Sequence, residues 1–393
     1  MSTIPAAPPL SASERARGRR LAIASNVPGM TFLTAFTNQL PTLALVSLGA
    51  SETMVGVQSG MVLGFQALQL PALRFVSWFT KRSILVTGQL FALAASLPLV
   101  FFTAVSALEP ETARVVVLVS VALTAIGLNF ADLVWFALLR AYLDPGRIGR
   151  FFGVIRSSWH IAVIVFFTGG QYWLAGHEGA FGALFGVAWL AGILRVALIW
   201  RMPERSERTG DRIRARDALA LVRRDPRLRR YLIGVCWGAG VRVSVLPFTL
   251  VMLRRALGFA NSDIVLTTIA QFSGGLVSLY LWGALIDRVG PYAVFRFTSL
   301  ATAGLYVGLA QLDSSGPSTL LAAVVFFFLH AVLGAGYGLS DTRVLFELAP
   351  PEAPARMLVV GGSLTGLALG LSPMLVGALL DPLLSHAADP LTV

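Results

Sequence analysis

Long apolar stretches recur along the 393-residue chain, and short polar or glycine-containing segments separate them. A helix needs about 20 mostly apolar residues to cross a bilayer. The pattern therefore predicts an all-α polytopic membrane protein with eleven spans, six of them before a long polar segment and five after it. The predicted spans are 21–48, 54–78, 84–107, 114–140, 151–175, 179–200, 231–256, 262–285, 291–312, 318–345 and 356–383.

The composition supports this interpretation and narrows the chemistry. The chain is 56% hydrophobic and 13% charged, whereas soluble domains carry about 25% charged residues. Its single cysteine, Cys236, excludes a disulfide within the chain and a cysteine metal cluster. HExxH, GxSxG and Walker-type phosphate-binding motifs are absent from the sequence. We therefore expect no cofactor, no metal and no catalytic residues, and an intramembrane enzyme is the least favoured class.

The basic residues predict how the chain lies in the membrane. The net charge of +11 could indicate nucleic-acid binding, but no basic face interleaved with aromatic residues supports that interpretation. If the N-terminus is cytoplasmic and every span crosses, 21 of the 31 Lys and Arg residues lie in cytoplasmic segments and three lie opposite. This asymmetry follows the positive-inside rule. It predicts a disordered cytoplasmic tail (1–20), a basic cytoplasmic linker (201–230) and a non-cytoplasmic tail (386–393).

Two parts of the chain resemble each other at a constant offset. Asp132 and Asp341 are 209 residues apart, and each begins an apolar segment that leads to a proline-containing turn and an arginine. The segments 48–51 and 257–260 are related by the same offset. Such a repeat predicts two parallel bundles, at 21–200 and 231–385, an arrangement found in transporters.

The segment Gly283-x-x-x-Asp287-Arg288-x-Gly290 carries the most specific motif. It matches the cytoplasmic loop signature of the major facilitator superfamily. The chain resembles members of this family over nearly its whole length, and in particular bacterial members with no assigned substrate. The equivalent first-half loop, residues 79–83, keeps positive charge but lacks the aspartate and the second glycine.

The resemblance implies a two-bundle fold in the bacterial inner membrane that transports a solute by alternating access. The family usually has twelve spans. The eleven predicted here indicate a shortened member, or a twelfth helix supplied by another chain. The family loop grips the opposite half when the cytoplasmic side is closed. The signature residues therefore become a candidate cytoplasmic gate, together with Asp341 and Arg343 as a gate salt bridge; a plain tight turn is the alternative.

Charged residues inside predicted spans are costly and mark candidate sites. Arg242 lies near the middle of the seventh span and could bind an anionic substrate, or form a structural ion pair. Asp132, one turn after Asn129 in the fourth span, could exchange a proton with the transport path. A hydrogen bond to a neighbour such as Arg140 is its alternative.

Uncharged polar residues complete the candidate binding site. They are Asn26, Asn38 and Gln39 in the first span, Asn129 in the fourth and Tyr337 in the tenth. Each could contact substrate, and each could instead bond two helices together.

The leading hypothesis is proton-coupled export, or efflux, of a small organic solute. Uptake of a small anion at Arg242 is an alternative, and a non-transporting membrane scaffold or assembly factor is an alternative of another class. The expected partners are the solute, protons and the lipid bilayer, without nucleic acid.

Overall fold

The computed structural model describes residues 10–69, 71–72, 79–143, 148–205, 220, 222–312, 316–348 and 354–387. Half of the predicted linker and most of the predicted C-terminal tail lie outside this part of the chain. The helices are α1 (Ala12–Thr37), α2 (Gln39–Ser47), α3 (Glu52–Gly64), α4 (Lys81–Val100), α5 (Phe102–Ser106), α6 (Pro110–Arg140), α7 (Ile148–Gly176), α8 (Phe181–Trp200), α9 (Pro226–Val251), α10 (Asn261–Val289), α11 (Pro291–Leu309), α12 (Pro317–Leu348) and α13 (Pro354–Ala387). A 3₁₀ turn (Phe65–Leu68) follows α3, and a π-helical turn (Met252–Ala256) follows α9.

Helix α1 begins within the segment predicted to be a disordered tail. Ser11 caps it: the Ser11 hydroxyl accepts from the Glu14 amide at 3.2 Å, and the Glu14 carboxylate accepts from the Ser11 amide at 2.7 Å. This reciprocal pair satisfies two backbone donors at the helix start. The backbone and hydroxyl of Ser11, and then Arg205, hold the pKa of Glu14 below its usual value. The expectation of disorder thus fails from residue 12 onward, because local capping nucleates the helix.

Seven described helices are long and apolar enough to cross a membrane, or eight if α10, which bends by 45° near residue 279, counts as one span. The predicted first span is divided at Asn38 into α1 and α2. The predicted second span runs partly outside the described residues. The total of eleven therefore stays a prediction.

The helices form two groups, which we call the first half (α1 to α8) and the second half (α9 to α13). In the first half α4 packs against α6, and α8 packs against α1 and α4. In the second half α12 packs against α10 and α11, and α13 packs against α9. The halves meet along two seams, α3 with α13 and α7 with α10, while α9 also contacts α2 and α3.

Small residues bring the backbones of α3 and α13 together. A Cβ atom on Gly56 would lie 2.3 Å from the Pro373 carbonyl oxygen, and one on Gly60 would lie 2.2 Å from that of Gly370. A glycine every fourth residue forms one stripe along a helix and lets a neighbouring backbone approach. The α3–α13 seam is therefore a backbone contact, whereas the α7–α10 seam is filled by aromatic rings, with Phe167 stacked on Phe272.

The internal repeat is visible in the backbone. Gly49 and Gly258, which are 209 residues apart, follow the first helical segments of the two halves with φ of 70° and 68°. A positive φ suits glycine, which has no Cβ to clash. The repeat is incomplete in one place: no described helix lies beside α9 and α11 in the way that α8 lies beside α1 and α4.

Candidate functional site: a cavity between the two halves

A cavity of about 400 Å³ lies between the two halves, in the middle of the helices. The side chains from the first half are Met30, Leu33, Thr34, Thr37, Asn38, Gln39, Thr42, Gln58, Ser59, Val62, Leu63, Gln66, Ala125, Leu128, Asn129, Asp132 and Trp159. Those from the second half are Val243, Leu246, Pro247, Leu250 and Phe272.

The two walls differ sharply in chemistry. Every described amide and hydroxyl side chain on the cavity belongs to the first half, as does the Asp132 carboxylate. The second half contributes aliphatic residues, a proline and the Phe272 ring. A few polar groups that converge on an otherwise apolar concave site are typical of small-molecule binding.

Asp132 places a carboxylate on this cavity. Among the described residues it has no hydrogen bond or ion-pair partner, and the Arg195 guanidinium is the charged group that acts on it electrostatically. Arg195 comes from α8, is only 3% exposed and lies 5.6 Å from the centre of the Trp135 ring. The first half therefore holds a carboxylate that faces the cavity with a buried counter-charge behind it.

Asn129 lies one turn before Asp132 on α6. Its amide nitrogen donates to the Ala125 carbonyl at 2.9 Å and to the Val62 carbonyl of α3 at 3.3 Å. It therefore lines the cavity and also ties α6 to α3, so both of its predicted roles remain open.

Asn38 and Gln39 stand where α1 breaks from α2. Asn38 leaves helical geometry, with φ of −110° and ψ of −131°, and lies on the cavity. The Gln39 amide donates to Gln271 at 3.0 Å and its oxygen accepts from the Thr268 hydroxyl, both on α10. Gln39 therefore joins the halves at the edge of the cavity.

Three predicted candidates do not line the cavity. Asn26 is buried on α1, and its amide nitrogen has no hydrogen-bond partner among the described residues. Arg242 points into the second half, where it donates to the Thr302 hydroxyl at 2.8 Å and lies 4.8 Å from the centre of the Tyr337 ring. The hydroxyl of Tyr337 is buried without a partner in the described structure. The cavity therefore brings together Asn38, Gln39, Asn129 and Asp132 from the predicted set.

Polar contacts join the halves at the end of the molecule near Glu52, which we call the Glu52 end. The Asp381 carboxylate of α13 accepts from the amides of Glu52 and Thr53 at 2.8 and 3.0 Å, and from the Thr53 hydroxyl. Arg255 pairs with Glu52 at 2.6 Å and donates to the Ala50 carbonyl. A carboxylate at a helix N-terminus also interacts favourably with the helix dipole.

An apolar cluster adds to this closure. Val46, Val55 and Val251, from both halves, are buried together with Phe248 packed against them. These side chains continue from the cavity-lining parts of α2, α3 and α9 toward the Glu52 end. The cavity is therefore separated from that end by apolar packing and then by charged contacts.

The candidate gate lies at the other end, which we call the basic end. Gly290, with φ of 84°, ends α10, and Asp287 accepts from Arg343 of α12 at 2.6 Å within the second half. The Asp287 and Arg343 side chains are 67% and 52% exposed, and an exposed pair contributes at most about 1 kcal/mol.

The remaining gate candidates at the basic end make no described hydrogen bond or ion pair with the first half. Asp341 accepts from the Tyr231 hydroxyl rather than from Arg343. Arg288 is exposed, and the space around Gly283 is open within 4 Å. In this state the described gate residues make contacts within one half.

Sequence reasoning missed three sets of residues. Gln58 and Gln66 could have been found from the sequence, since amide side chains are unusual in an apolar span. In the structure, the Thr42 hydroxyl donates to the side-chain oxygen of Gln58 at 2.8 Å. Asp381 and Arg255 carried no signal, because charges near span ends are common. Arg195 carried no signal, because an arginine near the end of an apolar span can reach water, whereas the structure buries it.

The fold and its cavity define a polytopic helical transporter, with two bundles enclosing a solute-sized space. The chain belongs to the Major Facilitator Superfamily, whose family model matches residues 29–373. No curated protein matches it significantly by sequence.

Solved transporters share the fold at low sequence identity. The nucleoside transporter NupG (D323A mutant) has a TM-score of 0.73 and 16% identity, covering 94% of this chain and 92% of its own. A D-xylose-proton symporter has a TM-score of 0.64 and 14% identity, covering 91% and 89%. A bacterial homologue of the iron transporter ferroportin has a TM-score of 0.62 and 16% identity, covering 92% of both chains.

Proposed function

We propose that the protein is a secondary active transporter that exports a small neutral or cationic organic solute in exchange for protons. The observation that carries this proposal is the Asp132 carboxylate, which faces the cavity and has no hydrogen-bonding partner among the described residues. A buried polar group without a partner is costly unless a ligand or water satisfies it. The unpaired carboxylate is therefore a site that a solute or a proton occupies.

The solute and the proton would compete for the same Asp132 carboxylate. This competition supports the exchange of one for the other rather than the transport of both together. A cationic or hydrogen-donating solute binds the ionised form of Asp132, and a proton neutralises it, so each displaces the other. With acid outside the cell, protonation from that side releases the solute there. Deprotonation on the cytoplasmic side then restores the binding form.

The wall chemistry supports the solute class. Amides and hydroxyls of the first half offer donors and acceptors, while Phe272 and the aliphatic residues opposite offer an apolar surface. A solute with a polar edge and an apolar or aromatic face fits both walls. Asp132 gives the cavity a negative charge, and no described Lys or Arg side chain lines it. An anionic solute is therefore disfavoured by repulsion.

Alternating access would follow from the contacts at the two ends. Contacts of Asp381 and Arg255 hold the Glu52 end closed, and charge-assisted hydrogen bonds of this kind each contribute about 1.5–3 kcal/mol. The positive-inside pattern assigns the basic end to the cytoplasm, so this arrangement is a cytoplasm-facing state. The opposite state would exchange these contacts for new ones made by Asp287 and Arg288.

The competing functions have less support. Anion uptake at Arg242 lacks a path, because the Arg242 guanidinium is turned away from the cavity toward Thr302 and Tyr337. A scaffold would pair off its interior polar groups, whereas Asn38, Gln66 and Asp132 face the cavity without described hydrogen bonds from their side chains.

Flux into inside-out vesicles tests the proposal. Purified protein is reconstituted, and uptake of tetraphenylphosphonium, ethidium, uridine, xylose and phenylacetate is measured with and without an acidic lumen. We expect accumulation of a cation or neutral solute that depends on the acidic lumen. Transport of phenylacetate alone, or accumulation that ignores the gradient, would contradict the proposal.

A further inference from the structure

We propose that Arg195 is a positioning residue that favours the ionised form of Asp132 and so sets the pH range in which the cavity exchanges solute for a proton. This inference rests on the proposed function, because it assigns the regulation of the same carboxylate. It concerns a side chain that does not itself line the cavity.

The first step is the placement of Arg195. It lies five residues before the end of α8, near enough to the membrane surface for a long side chain to reach water. Instead it is 3% exposed. Burial of a cation is expensive unless a counter-charge compensates it, and Asp132 is the acidic group that acts on it in the described structure.

The second step is the packing that holds the guanidinium. A Cβ atom on Gly29 of α1 would lie 2.4 Å from both Cδ and Nη1 of Arg195, so α1 leaves room for this side chain. The Trp135 ring, one turn along α6 from Asp132, provides a cation–π contact at 5.6 Å. Three helices therefore determine where the charge lies.

The third step is the absence of a competing charge nearby. On the helices packed around Asp132, the other described charged or titratable side chains lie at helix ends, at exposed positions of α7 or in the α7–α10 seam. They are Glu52, Lys81, Arg82, Glu111, Arg114, Arg140, Arg150, Arg156, His160, Tyr172 and the charged residues between Glu14 and Arg20 at the start of α1. Among described groups, Arg195 is the one with an electrostatic effect on Asp132.

When Asp132 takes up a proton, the buried Arg195 guanidinium loses the negative charge that compensates it. Among the described residues, the Nε atom of Arg195 has no hydrogen-bond partner, and Asp132 is the acidic group that compensates its charge. Protonation of Asp132 removes that compensation and makes the packing of α6, α8 and α1 around Gly29 less favourable. Helix α1 leads directly to the break at Asn38, so the charge state of the cavity can bias the helix that carries the polar wall.

An infrared pH titration of the full-length protein in detergent tests this inference without any solute. The C=O stretching band of a protonated carboxylic acid is followed, and the part lost in Asp132→Asn is assigned to Asp132. In Arg195→Gln the midpoint of that band should move to higher pH by about one unit, because a nearby cation favours the carboxylate. Arg195→Lys should restore most of the wild-type midpoint.

Two further variants complete the test. Gly29→Ala keeps the arginine but displaces its guanidinium, and it should move the midpoint in the same direction as Arg195→Gln. Arg242→Gln, which removes a buried arginine of the other half, should leave the midpoint in place. An unchanged midpoint in both Arg195→Gln and Gly29→Ala would overturn the inference.

The failure of this inference can be distinguished from failure of the proposed function. If the midpoint moves but vesicles show no proton-dependent flux, the electrostatic effect of Arg195 on Asp132 stands and the transport proposal fails. If flux depends on the gradient and on Asp132 but the midpoint does not move, the transport proposal stands and the role of Arg195 fails.

Discussion

The two walls of the cavity are built from the same repeated chain but carry opposite chemistry. The first-half wall has Asn129 and Asp132 on α6, and the equivalent helix of the second half, α12, contributes none of its described side chains to the cavity. Asp341, the repeat mate of Asp132, instead accepts from Tyr231 within its own half.

The buried arginines repeat this difference. Arg195 of the first half lies behind the cavity carboxylate, whereas Arg242 of the second half bonds to the Thr302 hydroxyl and the Tyr337 ring. The first half therefore supplies the polar and titratable groups of the cavity, and the second half supplies an apolar surface and structural contacts.

Replacement of the cavity carboxylate should have the largest effect. Asp132→Asn keeps the shape of the wall but removes the charge, so gradient-driven accumulation in vesicles should fall at least about tenfold, equivalent to about 1.4 kcal/mol. Asp341→Asn is the matched control and should lose less, since its carboxylate lies off the cavity. Equal losses in the two variants would mean that the walls do not differ in function.

The apolar wall should affect affinity rather than coupling. Phe272→Ala removes the aromatic ring that the second half contributes to the cavity, and it should raise KM for an aromatic solute about tenfold, since burial of a phenyl ring contributes about 1.5–3 kcal/mol. The dependence of flux on the pH gradient should persist. Phe297→Ala, at an exposed position on α11, is the control; a similar KM change there would argue against a contact with solute.

The hydrogen bond between Thr42 and Gln58 offers a smaller test of the polar wall. Thr42→Val removes the shorter of the two hydrogen bonds to the Gln58 side-chain oxygen, which also accepts from the Ser59 hydroxyl at 3.3 Å. The loss of one hydrogen bond, worth about 1 kcal/mol, should change KM about fivefold. Thr249→Val removes a hydroxyl that bonds to its own helix in the second half. If both variants change KM equally, the polar wall has no special role in binding.

The smallest effect on transport is expected at Arg242. Arg242→Met replaces a buried cation by an apolar chain of similar length, and such replacements are often nearly neutral for stability. Flux and its pH dependence should stay near wild type, while thermal unfolding reports any loss from the contacts with Thr302 and Tyr337. A large loss of anion flux would revive the alternative of anion uptake.

The sequence predicted the helical class and the family well, because apolar length, arginine asymmetry and the loop motif are local signals. It also predicted Asn129 and Asp132 as neighbours on one helix face. It did not show that Arg195 points inward or that Arg242 points away from the cavity, although both arginines lie within apolar segments. The direction in which each side chain points depends on packing partners far away in the chain, Gly29 for one and Gly334 for the other.

The contacts at the Glu52 end show the same limit. Asp381 reaches Glu52 and Thr53 across more than three hundred residues. No periodicity or motif connects positions so far apart. Such contacts become visible only when the two halves are placed against each other.

The central claim is that the Asp132 carboxylate exchanges a proton for the transported solute. The most direct measurement is proton release on solute binding by the purified protein, followed with a pH indicator in weak buffer near the midpoint of the Asp132 titration. A solute that is transported in the vesicle assay should release a fraction of a proton per molecule bound from the wild type and none from Asp132→Asn. Proton release that is undiminished in Asp132→Asn, or its absence in a wild type that binds the solute, would contradict the account.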